Sequence, residues 1–291
     1  MKSKVNLHLH LQMNVKYSDG DKTVSDIVSK LKDAGIEYFA ITDHDTVEGN
    51  FEAAKYAEKY KMKYFNGIEL SCRFLHGEIG TDDLCGCHIL GLGIKANEMQ
   101  KRLKAQDENK SIKVRKLFEL LAADGYNLEM ANIDSTFKSI INELIANGYA
   151  ADKKDCQTRI LCKDAYQQYI KPKMDVQVAI QTIKECGGLA IWAHPFRAPN
   201  AERGLTKEQI SELLDLLCGY GLDGIEVYYQ NFMAEQIMFL DDLANSKKLF
   251  KSIGTDHHRT KIGAEDKIFF DVEGIIPDEA IIAALESRNG G

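Results

Sequence analysis

The 291-residue chain has no apolar run near the roughly 18 residues a helical membrane span requires, so an integral membrane protein of that kind is not expected. The apolar core of roughly 7–15 residues that marks a secretory leader is also missing at its amino terminus. Its seven cysteines (72, 85, 87, 156, 162, 186 and 218) are scattered and odd in number, which does not suggest a disulfide framework. Reduced thiols in a cytoplasmic protein are therefore expected. Cys85 and Cys87 lack the Cys-x-x-Cys spacing of a metal or redox pair. Positive charge is in deficit, with 37 Lys+Arg against 44 Asp+Glu and a net charge of −7. That balance argues against a broad nucleic-acid surface and leaves the binding of an anionic substrate to metals and a few arginines. Repeats, low-complexity tracts and long linkers are likewise lacking.

What the chain does contain is enough length to bury a full core and eight histidines, most of them beside a carboxylate or a glycine. The first pair lies in Asn6-Leu7-His8-Leu9-His10. In an extended strand His8 and His10 leave from one face and the leucines from the other, so the two imidazoles can chelate one metal ion. A helix follows, with Val24, Ile27, Val28 and Leu31 on one face and Gly35 at its end. Ile36 to Thr42 reads as a buried strand delivering Asp43-His44-Asp45. A second helix, Phe51 to Tyr60, leads to a strand from Tyr64 to Ile68 that ends at Glu69. This alternation is the pattern of parallel βαβ units, whose sites form at the carboxyl ends of the strands. His88 bounds a fourth apolar run that reaches Ile94.

From about 97 to 174 strand signals give way to helical periodicity, with Leu117, Phe118 and Leu121 on one face and Phe137, Ile140, Ile141, Leu144 and Ile145 on another. This segment reads as a helical insertion. Its departure from the mouth end favours a cover over the mouth rather than padding. Alternation resumes with a helix from Asp175 to Glu185 and a strand from Leu189 to Ala193 that runs into His194-Pro195. Thr206 to Gln209 resembles a capping box. A strand from Gly224 to Tyr228, a helix around Ala234 to Ala244 and a strand from Leu249 to Ile253 lead to Thr255-Asp256-His257-His258. A short apolar run near Ile268 to Val272 and a helix from Asp278 complete the chain.

Six strand ends thus present His8 and His10; Asp43, His44 and Asp45; Glu69; His88; His194; and Asp256 with His258. Imidazole and carboxylate are ligands for zinc, manganese or iron, and the absence of cysteine speaks against a structural zinc knot. The set exceeds what one ion can use, so two or three ions sharing a carboxylate is the economical solution, well suited to phosphoryl oxygens. Duller roles exist for each member. Asp43 and Asp45 suit turns or caps, His88 and His194 suit hydrogen-bonded core positions, and Glu69 suits a pair with a lysine.

The ordered strings Asn6 to His10, Ser18-Asp19-Gly20, Ile41 to Asp45, Gly67-Ile68-Glu69, His88-Ile89-Leu90-Gly91, Ala193-His194-Pro195 and Thr255 to His258 resemble the successive motifs of the PHP (polymerase and histidinol phosphatase) family. The resemblance implies an α/β fold, a distorted seven-stranded β/α barrel over 1–96 and 175–291 with a helical insertion over 97–174. It also implies a metal-dependent phosphoesterase with two or three divalent ions, manganese, iron or zinc. Carried over, one ion takes His8, His10, Glu69 and Asp256; a second shares Glu69 and adds His88 and His194; a third uses Asp19, His44 and His258.

The insertion and Gly224 to Tyr228 look most like the stand-alone branch acting on nucleoside 3′,5′-bisphosphates and short oligoribonucleotides. Leu11 to Lys16 lengthen the loop before Asp19 relative to that branch, and Ser135-Thr136-Phe137-Lys138 stands where it carries Arg-Pro-His. The implied chemistry is hydrolysis by a hydroxide held between the first two ions, with Glu69 and Asp256 as catalytic carboxylates. Arg197 and Arg259 are candidates for gripping phosphate oxygens, and His257 for donating a proton. Histidinol-phosphate hydrolysis and a non-catalytic, metal-containing module that binds phosphate ligands remain as alternatives. The expected partner is a small phosphorylated substrate, a nucleotide or short oligonucleotide, and not a membrane.

Overall fold

A computed structural model describes residues 3–11, 22–74, 86–134, 136–170, 174–197, 204–258 and 279–289. Asp19, Cys85, Arg259 and the apolar run near 268–272 lie outside these residues. The strands are β1 (Val5–Asn6), β2 (Tyr38–Ile41), β3 (Lys63–Arg73), β4 (Cys87–Leu92), β5 (Met174–Asp175), β6 (Leu189–Trp192), β7 (Gly224–Tyr229) and β8 (Phe250–Gly254). The helices are α1 (Val24–Asp33), α2 (Glu48–Tyr60), α3 (Ala96–Ala123), α4 (Phe137–Ala146), α5 (Lys153–Asp155), α6 (Asp164–Ile170), α7 (Val176–Glu185), α8 (Lys207–Gly219), α9 (Ala234–Lys247) and α10 (Glu279–Asn289). Among the described residues no helix is long and apolar enough to cross a membrane.

The strand order is β1-β2-β3-β4-β6-β7-β8, with the short β5 pairing on β3. Three backbone hydrogen bonds join the two ends of that order: Leu7 N to Ile253 O at 2.9 Å, Asp256 N to His8 O at 2.9 Å, and His10 N to His257 O at 3.0 Å. The sheet thereby curls into a barrel, and the residues that follow β1 and β8 meet at one rim.

Most neighbours are parallel, as strand-helix alternation requires. The exception is β4, which runs antiparallel to both β3 and β6. Its amino end, where His88 sits opposite Ser71 of β3, therefore lies at the same rim as the carboxyl ends of the parallel strands. Glu69 also differs from its expected place at a strand terminus, because β3 continues to Arg73. Past Asn66 β3 exchanges its parallel partner β2 for the antiparallel β4, and the new ladder carries the strand four residues beyond the glutamate.

Helix formation follows the apolar spacing. In α1 Val24, Ile27, Val28 and Leu31 are all buried, Thr23 caps the first turn by accepting from Asp26 N at 3.2 Å, and Gly35 ends it at φ +81°. With Leu9, Leu11, Phe39, Ile41 and the α2 residues Ala53 and Ala57 they form one continuous apolar cluster. Four such side chains withdrawn from water stabilise this contact by several kcal/mol, at about 1.5–3 kcal/mol each. The α8 capping box is present, with Thr206 Oγ1 accepting from Gln209 N and Gln209 Oε1 accepting from Thr206 N. On α2, which begins three residues before Phe51, Asn50 is fully buried.

The chain divides into two compact units, 1–100 with 174–291, and 101–173. The second has its own core, in which Val114, Leu117 and Leu121 of α3 meet Ile140 and Leu144 of α4 and Tyr166 of α6.

Asn50 ties α2 to β3 where the parallel ladder stops. It accepts from Gly67 N and Tyr64 OH, each at 2.7 Å, and donates to Gly67 O at 2.9 Å and Val47 O at 3.1 Å. Asn50→Ala leaves buried backbone groups without partners and lowers unfolding free energy by about 3 kcal/mol, read as a reduced urea midpoint at unchanged m-value.

Candidate metal centre

Seven of the sequence-predicted residues gather around an eighth, Glu69, whose side chain is completely buried. Its Oε2 lies 3.1 Å from His10 Nε2, 3.1 Å from His44 Nδ1 and 3.3 Å from His8 Nε2. Its Oε1 lies 2.8 Å from His88 Nδ1 and 3.1 Å from His194 Nε2. Asp256 Oδ1 adds a second carboxylate, 3.2 Å from His10 Nε2, 3.3 Å from His8 Nε2 and 3.2 Å from His258 Nδ1. Glu69 thus holds imidazoles from the segments after β1 and β2 on one oxygen, and from β4 and the segment after β6 on the other.

Backbone geometry aims these groups. His194 and Asp256 adopt φ +29° and +50°, left-handed values that L residues seldom take, and each turns its side chain inward immediately after a strand. Asp43 and Asp45 serve neither as the helix caps expected of them nor in the ligand groups, but tie distant segments together. Asp43 Oδ1 accepts from Leu11 N at 2.7 Å and Asp45 Oδ1 from Ser71 N at 3.0 Å, which fixes the segments carrying His10 and His44. His257 is buried, and its carbonyl serves the barrel seam through His10 N. Arg197 follows His194 on a short turn and donates from Nη1 to Tyr229 OH at 3.1 Å.

Two residues of the site escaped the sequence reading. Glu226 of β7 is fully buried, its Oε1 3.0 Å from His8 Nδ1 and its Oε2 accepting from His194 N at 2.8 Å. Tyr229 OH donates to Asp256 Oδ2 at 3.0 Å. An isolated carboxylate inside the apolar run Gly224 to Tyr228 was the available signal, since a buried charge needs a partner. Gly254 makes room for this arrangement: a Cβ there would come within 2.1 Å of His8 Cβ and 2.6 Å of Glu226 Oε1.

The electrostatics are those of a site built for cations. Burial raises the Glu69 pKa, but His44, His88 and His8 outweigh it and hold the carboxyl well below its usual range. Asp256 behaves alike, burial being overcome by His8 and His10. For His8 burial favours the neutral ring, yet Glu226, Glu69 and Asp256 push its pKa well above 6.5. The same balance, with Asp256 and Glu69 as the partners, raises His10 to about 9. His44 goes the other way, lowered by burial to about 3 and so neutral at physiological pH. Glu69 Oε2, Asp256 Oδ1 and His88 Nδ1 are buried without an aligned hydrogen bond. Orphaned donors and acceptors of this kind, facing one another, fit divalent metal ions.

Three ligand groups have their coordinating atoms within 4.8 Å of one another: His8, His10, Glu69 and Asp256; His44, Glu69 and His88; and His10, His44 and His258. Glu226 acts on the first, because a proton held on His8 Nδ1 leaves the Nε2 lone pair facing the cluster. Glu226→Gln weakens that acceptor, and its expected effect is a loss of about 10- to 100-fold in metal affinity, measured by competition with a chromogenic chelator.

The PHP domain model matches residues 7–276. A 5′-3′ exoribonuclease of Haemophilus influenzae is 26% identical over 268 residues, covering 89% of this chain and 91% of its own. A 3′,5′-nucleoside bisphosphate phosphatase of Chromobacterium violaceum is 24% identical over 287 residues, covering 91% and 90%. A solved structure described as an amidohydrolase from Chromobacterium violaceum with bound sulfate superposes with a TM-score of 0.63 at 23% identity, covering 98% of this chain and 97% of that one. Its likeness extends to the fold. With nearly its whole length accounted for by that model, the chain belongs to the PHP domain family.

Proposed function

We propose that the protein removes phosphate from nucleoside 3′,5′-bisphosphates and short oligoribonucleotides, using divalent ions held at the rim of the barrel. The single observation that carries the metal chemistry is the placement of one buried carboxylate, Glu69, between two sets of imidazoles. The substrate class is supported by the two curated relatives, a 5′-3′ exoribonuclease and a nucleoside bisphosphate phosphatase, each matched over most of its length.

His8, His10, Glu69 and Asp256 would hold one ion. Glu69 with His88 and His194 would hold a second. His44 and His258, with Asp19 from outside the described residues, would complete a third. Such ions supply Lewis acidity toward phosphoryl oxygens and increase the acidity of water.

The side chains divide the remaining work. Asp256, kept ionised by His8 and His10, would hold the first ion through Oδ1; a carboxyl held so far below its usual range is a weak base, so the proton that attacking water gives up as its oxygen bonds to phosphorus passes to solvent. Tyr229, donating to the other oxygen of Asp256, fixes the direction of that carboxylate. Arg197 is anchored at one nitrogen by Tyr229 OH and is otherwise exposed, which leaves guanidinium donors to grip a non-bridging phosphate oxygen while the ester P–O bond breaks. Arg259, next to His258, is the second candidate for that grip.

Phosphate release from adenosine 3′,5′-bisphosphate, histidinol phosphate and a short oligoribonucleotide, assayed with added manganese, tests the substrate class. The expected order places the nucleotide substrates first, and preference for histidinol phosphate would overturn it. Asp256→Asn is expected to lower turnover by about 100- to 10,000-fold. Metal uptake is expected to depend on pH with a definite sign. His10 carries a proton below its pKa of about 9, a cation must displace that proton, and affinity therefore rises with pH until about 9. Calorimetry in buffers of different ionisation enthalpy at pH 7 should record net proton release on manganese binding.

A further inference from the structure

Beside the cluster, on the side of His194, four aromatic rings follow one another outward. The Tyr229 ring lies 5.7 Å from His194, Phe232 lies 4.9 Å from Tyr229, Phe196 lies 5.5 Å from Phe232, and Phe239 of α9 lies 5.9 Å from Phe196, all between centroids. Tyr229 is buried, with 2% of its surface exposed, whereas Phe196, Phe232 and Phe239 are only half-buried. Met233, the residue after Phe232, is 59% exposed.

The row has two different ends. At the inner end Tyr229 OH is bound to Asp256, and the exposed Arg197 holds its guanidinium 5.7 Å over the Tyr229 ring. At the outer end ring surface remains in contact with water, which costs about 25 cal/mol per Å² relative to burial. Aliphatic side chains would suffice to pack the Pro195–Arg197 turn against α9. Rings that begin where phosphate is gripped and then run outward with open surface suit a planar, aromatic substituent of the substrate.

We infer that this shelf is the nucleobase subsite, with Phe232 and Phe196 as the stacking residues; the inference rests on the nucleotide reading proposed above. Stacking accepts any base, because every base has a π-face, so the shelf distinguishes nucleotides from sugar phosphates more strongly than one base from another. Purines, with the larger face, gain more than pyrimidines.

The test is calorimetric binding of adenosine 5′-monophosphate, the product left when adenosine 3′,5′-bisphosphate loses its 3′-phosphate, and of ribose 5-phosphate to manganese-loaded protein. Phe232→Leu keeps apolar bulk and removes the ring; Phe232→Trp restores a π-face. Phe232→Leu should weaken adenosine 5′-monophosphate about tenfold and leave ribose 5-phosphate within about twofold, and Phe232→Trp should recover the loss. Equal binding of the two ligands by the wild type, or equal weakening of both in Phe232→Leu, overturns the subsite. Ring-dependent binding in a protein that releases no phosphate from adenosine 3′,5′-bisphosphate would uphold the shelf and overturn the hydrolytic reading instead.

Discussion

One carboxylate, Glu69, sets the terms for the barrel rim. A fully buried anion without partners is untenable in a protein interior, and Glu69 is made tenable by five imidazoles from four different strands or the segments that follow them. Each imidazole arrives only if its strand stands in register with the others. The demand for charge neutralisation at one point is therefore a demand on the whole sheet, and the barrel closure through Leu7, His8 and His10 is what satisfies it.

Meeting that demand required departures from regular structure. The reversed β4 brings His88 to the rim by its amino end, where a parallel strand would have carried it to the far side. His194 and Asp256 occupy left-handed backbone conformations, a cost the surrounding hydrogen bonds sustain through Glu226 to His194 N and His8 O to Asp256 N. Glycine at 254 removes the one methyl group that would separate β8 from His8.

Function extends this arrangement outward. The two oxygens of Glu69 face different imidazole sets, which suits a pair of cations on one phosphoryl group. From Asp256 contacts run to Tyr229, and from Tyr229 both to Arg197 and to Phe232 and then Phe196. Charge, then hydrogen bonds, then aromatic surface succeed one another outward from Asp256, the order in which the proposed nucleotide substrate would present phosphate, sugar and base.

Much of this was legible in the chain, because apolar periodicity and the polar residues next to it are local properties. The face of α1, the Thr206 cap, and the convergence of His8, His10, His44, Glu69, His88, His194, Asp256 and His258 could be read from spacing and from resemblance. Glu226 was legible only as a carboxylate in an apolar strand that must have some partner, and Tyr229 not at all, since neither carries a local signature of which group it meets. The direction of β4, the extension of β3 past Glu69 and the neighbours of each Glu69 oxygen depended on pairings between residues far apart in sequence. The sequence by itself determined which groups were available and roughly where along each strand they stood; only tertiary structure decided which of them share a lone pair or a proton, because those distances exist only once the barrel has closed.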